Sequence, residues 1–165
     1  MRFSMTVVTI LLIAACSQMS PVRPDPISGS SAEGVSQNLV LPAADQGGRP
    51  LTTPMSGAEE VPGPGDADGS GTATITLNHG QGELCFSLTV ADIDPATAAH
   101  VHKAPAGVAG GIVVGLTPPT SGSSSGCVPV DPDLIKDITQ NPSEYYVNVH
   151  NSTFPAGAIR GQLAK

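Results

Sequence analysis

A chain of 165 residues with a formal net charge of −7 and no cluster of Lys or Arg is about one domain long, and it lacks the basic surface that binding to nucleic acid requires. Nineteen glycines and sixteen prolines, set against three phenylalanines, two tyrosines and no tryptophan, argue against a framework of long helices or aromatic anchors. The composition favours short strands around a core of Val, Ile, Leu and Ala.

The chain opens MRFSMTVVTILLIAACSQMS, one arginine followed by an apolar run too short to span a bilayer, so residues 1–16 read as a signal peptide. Leu12-Ile13-Ala14-Ala15 before Cys16 resembles the lipobox of bacterial lipoproteins. That likeness implies lipidation of Cys16, a membrane anchor and an exported protein, and Ser17 implies the outer membrane if the host is Gram-negative. The alternative is an ordinary secretory signal cleaved nearby. Residues 17–50 are rich in Ser, Pro, Gly and Gln without a sustained period, and read as a flexible tether to a domain over 51–165.

Within that domain, strict alternation marks strands. In TATITL, Ala73, Ile75 and Leu77 share one face. After the turn NHGQG, ELCFSLTV turns Leu84, Phe86, Leu88 and Val90 inward and Cys85, Ser87 and Thr89 outward, so the two segments should pair antiparallel. Further inward sets are Ile112, Val114 and Leu116, then Val128 and Val130, then Tyr145, Val147 and Val149, and last Ile159 and Leu163. One helix is expected in VDPDLIKDITQNP, capped by Asp131, started by Pro132 and stopped by Asn141-Pro142. The fold class is therefore all-β, an antiparallel β-sandwich or small Greek-key barrel with one short helix. Cys85 and Cys127 are an even pair in an exported domain, open to a disulfide or to two separate buried thiols. By parity a bridge would lie outside the aliphatic core.

Three phrases, PMSGAEEVPGPGDADGSGTATITL, LTVADIDPATAAHVHKAPAGVAGGIVVGL and NPSEYYVNVHNSTFPAGAIRGQL, resemble in order and spacing the CHRD domain, a module found in chordin and in bacterial exported proteins. The resemblance runs over about residues 51 to 163. It implies an extracellular β-rich module and supplies no catalytic mechanism.

The chemistry-bearing residues are the histidines. On a strand, His100 and His102 share a face about 7 Å apart and can direct ring nitrogens to one metal, and His150 offers a third imidazole on the face of Tyr146 and Asn148. Three such ligands suit copper or zinc. The competing reading is a polar cluster in which the imidazoles bond to Asn148, Arg160 or backbone groups. Arg160, on the polar parity with Gln162, reads as satisfying Asp and carbonyl groups at the sheet edge, or as anchoring a partner's carboxylate.

The H-x-H strand is also locally similar to Cu/Zn superoxide dismutase, but no zinc loop or bridging histidine accompanies it and His79 is isolated. DADGSG imitates the first half of a calcium loop, yet Leu77 stands where the bidentate glutamate belongs, so this is a turn. No C-x-x-C or nucleotide-binding loop appears. The expected function is a non-catalytic binding or structural module, anchored to the membrane and open to a cell-envelope protein partner. The alternative is a copper- or zinc-binding protein using His100, His102 and His150, and a dismutase-like redox enzyme is more remote.

Overall fold

The computed structural model describes residues 48–165, so the signal peptide, Cys16 and all but the last residues of the tether lie outside the described residues. Eight strands form one antiparallel sheet: β1 (Leu51–Ser56), β2 (Ser70–Asn78), β3 (Glu83–Ala91), β4 (Ala96–Lys103), β5 (Gly111–Leu116), β6 (Ser123–Pro129), β7 (Tyr145–Asn151) and β8 (Ile159–Gln162). One α-helix among the described residues, α1 (Pro132–Gln140), joins β6 to β7 together with a short 3-10 turn, Pro142–Glu144. The sheet order is β5-β4-β7-β8-β1-β2-β3-β6.

Curling of this sheet follows from chain length. Laid flat, eight strands would hold the two edges about 33 Å apart. Residues 117–122 connect one edge, β5, to the other, β6, and seven peptide steps reach about 25 Å at most. The sheet is accordingly rolled into a nearly closed barrel. Across the gap, Ser124 Oγ donates to the Thr117 carbonyl at 2.7 Å and Thr120 Oγ1 to the Ala96 carbonyl at 3.0 Å.

The inward face is the aliphatic one that alternation marks. Ala73, Ile75 and Leu77 of β2, Leu84, Phe86 and Leu88 of β3, and Val147 and Val149 of β7 are all buried. Helix α1 adds Ile135 and Ile138 to the same core. Its start is the expected one: the Asp131 side chain accepts from the Asp133 N–H at 2.8 Å, with Pro132 in the first helical position. Asp137 fastens the helix to the barrel through an ion pair with Lys103 and a hydrogen bond from Tyr145 Oη at 2.6 Å.

Three points differ from the reading by alternation. Ile112 is 58% exposed, because a bulge between Val101 and His102 sets Val101 opposite Val114 but His102 opposite Ile112, turning that residue outward. Strand β1 carries Pro54, which masks it as a strand, and its ladder to β8 is confined to Ser56 opposite Arg160. Arg160 is not at an edge: β8 lies inside the sheet between β7 and β1, and the side chain is 1% exposed. Cys85 and Cys127 stand directly opposite on β3 and β6 and form a disulfide, outside the aliphatic cluster as parity requires.

Candidate metal centre on the outer face of β4, β7 and β8

Strand pairing brings the three histidines together. On the face turned away from the core, His100 is opposite Asn148, His102 opposite Tyr146 and Ala98 opposite His150, while Asn148 is in turn opposite Arg160 of β8. The result is a polar layer backed by Val101, Val147 and Val149. One ligand atom from each of His100, His102 and His150 lies within 4.8 Å of the others.

Backbone carbonyls decide the tautomers. His102 Nδ1 lies 2.9 Å from the Gly110 carbonyl oxygen and His150 Nδ1 lies 3.1 Å from that of Pro155. A carbonyl only accepts, so each Nδ1 carries the hydrogen and each neutral ring keeps its lone pair on Nε2. His150 Nε2 takes a hydrogen bond from His100 Nδ1 at 3.1 Å. His102 Nε2 is buried and has no hydrogen-bond partner among the described residues. Burial, reinforced by the neighbouring imidazoles, holds the pKa of His100 below the ordinary value, and burial does the same for His150 against a weaker opposing effect of its bond to Pro155. Both shifts favour the neutral imidazole, the form that binds metals.

Beneath the triad is a stack that alternation leaves unannounced. The Tyr146 ring lies parallel to that of His102, with centroids 4.7 Å apart and planes at 9°. The Arg160 guanidinium covers the other face of Tyr146, its Cζ 3.4 Å from the ring centroid. Arg160 satisfies its donors on the carbonyls of Val108 and Pro105, at 3.0 and 3.1 Å, and on Gln162 Oε1 at 3.0 Å. The carbonyl partners are as expected; no aspartate takes part in these bonds. Gly110 serves both layers, accepting from His102 and donating its N–H to Tyr146 Oη at 3.1 Å. A Cβ there would fall 2.1 Å from the Lys103 carbonyl oxygen, so only glycine allows the approach.

Glu60, from the β1–β2 connection, is a residue that sequence reasoning missed. It is 5% exposed, and burial pushes its pKa up to about 7 against the opposing pull of the Arg160 cation and of hydrogen bonds from the Val61 amide and Asn148. The Gly-Ala-Glu-Glu-Val-Pro phrase holds it, but a lone glutamate in a loop gives no local sign of burial. His79 is elsewhere, its Nε2 3.0 Å from Thr139 Oγ1 beside α1, and adds nothing to the triad. Asp68 is exposed and Asp66 half-buried, in a turn closed by the Gly69 N–H and the Asp66 carbonyl.

Among known proteins, a family model described as CHRD domain matches residues 51–163. No curated protein and no solved structure matches the chain.

Proposed function

The chain belongs to the CHRD domain family, and on that premise we propose that it works as an exported, lipid-anchored, non-catalytic module whose ligand is a transition-metal ion held by His100, His102 and His150. The observation that carries this reading is the buried, unpartnered Nε2 of His102, on a ring that offers one nitrogen within 4.8 Å of a nitrogen from each of His100 and His150. Burying an acceptor without a partner costs about 1–3 kcal/mol, and a metal ion removes that cost. Two of the imidazoles are already oriented by carbonyls, the usual support for a metal-binding histidine. Copper and zinc are the ions an all-imidazole set suits. Export is supported by the lipobox-like Leu12–Cys16 segment and by the disulfide, which belongs to oxidising compartments.

Titration of the whole chain, first stripped with EDTA, is expected to show one bound Cu or Zn ion and a rise in melting temperature that grows with metal concentration. His100→Ala/His102→Ala should abolish both. A second reading, a metal-free hydrogen-bonded cluster, is favoured by the direct His100–His150 contact at 3.1 Å. Under that reading the wild type takes up no metal, and the double variant loses more than about 2 kcal/mol of stability in EDTA.

A further inference from the structure

We infer that the three-imidazole site selects copper(I) over divalent ions, an inference that rests on the metal reading above and adds the charge and coordination number of the ion. The donor set is three neutral nitrogens, and the grouping contains no carboxylate or thiolate. A divalent ion there would keep its full charge in a half-buried place, where uncompensated charge is costly. Three imidazoles leave zinc to take water as a fourth ligand, whereas copper(I), a closed-shell monovalent ion, accepts three-coordination and brings one charge fewer into the site.

The stack beneath the site adds a permanent cation. Arg160 is 1% exposed, its Cζ is 3.4 Å from the Tyr146 ring, and that ring is 4.7 Å from the ring of His102. A buried positive charge is thus separated from a ligand by one aromatic ring. At roughly 9 Å and an effective dielectric near 20, each added unit of charge on the ion weakens binding about twentyfold. Glu60 is a carboxylate that feels Arg160, and since burial pushes its pKa up to about 7 it offsets little of that cation below neutral pH.

The test is an anaerobic competition at pH 6.5, with the whole chain set against bicinchoninate for Cu(I) and against a fluorescent chelator for Zn(II). One Cu(I) is expected, bound at least 100-fold more tightly than Zn(II), and His100→Ala/His102→Ala should lose it. Zn(II) bound one to one within tenfold of Cu(I) overturns the selectivity and leaves the metal reading standing; neither ion bound overturns both. Removing the cation in Arg160→Met should narrow the Cu(I)/Zn(II) ratio about twentyfold. Should that variant fail to fold, Glu60→Gln at pH 8 is decisive in the opposite sense, because losing an anion beside Arg160 should widen the ratio. An unchanged ratio in the variant used overturns the electrostatic basis.

Discussion

Glu60 carries its carboxyl against Gly157, where a Cβ would come within 2.4 Å of the carboxylate atoms and φ is +148°, so the loop after β7 is shaped around a buried acid. Its folded pKa of about 7 lies above the ordinary 4.5, so the folded state holds the proton more tightly than the unfolded chain does. That contribution is fully present below about pH 4.5, declines as pH rises, and is gone above about 7. Glu60→Gln is always neutral, so its stability relative to wild type should rise between pH 5 and 7 and then level off, with a total gain of roughly 3–4 kcal/mol at most. Thermal melts from pH 4 to 8 measure this, and a difference that shrinks with rising pH contradicts it. His100 and His102 were legible as a same-face pair from spacing alone. Glu60 and the buried state of Arg160 were not, because a charged residue becomes interior only when distant loops cover it.

At the level of elements, alternation located β2, β3, β7 and their core faces, and the Asp131-Pro132 start and Asn141-Pro142 stop located α1. These signals succeed because they depend on neighbours within a few residues. Strand β5 shows where they stop: an unpaired Val113 bulges β5 against β4 and shifts its register, so Val114 is 7% exposed and Ile112 is 58% exposed. Ile112→Ser should therefore change stability by less than about 0.5 kcal/mol, whereas Val114→Ser should cost about 2–3 kcal/mol. Urea denaturation of both variants checks the register, and equal losses would return Ile112 to the core. A bulge is set by what lies across the ladder, which the GIVVGL segment does not contain.

For the whole molecule, closure is shared between the β5–β6 connection, α1 and the disulfide. The Cys85–Cys127 bond spans 42 residues and ties β3 to β6, the strand at the open edge. In the chain-entropy picture a loop of that length contributes about 4 kcal/mol, so Cys85→Ser/Cys127→Ser should lower unfolding stability by about that amount in guanidinium titrations. A loss below about 1 kcal/mol would mean that the barrel holds that edge without it. By itself the sequence determined the β-rich class, the short helix, the eligible cysteine pair and the outward face of His100 and His102. Each of those is written in local periodicity, in capping residues or in composition. Only the tertiary structure decided that β7 lies beside β4, which delivers His150 to the pair, that Tyr146 and Arg160 stack beneath them, and that Glu60 is enclosed. Strand order joins segments some 50 residues apart, and the burial that ranks those pairings belongs to the assembled sheet rather than to any one strand.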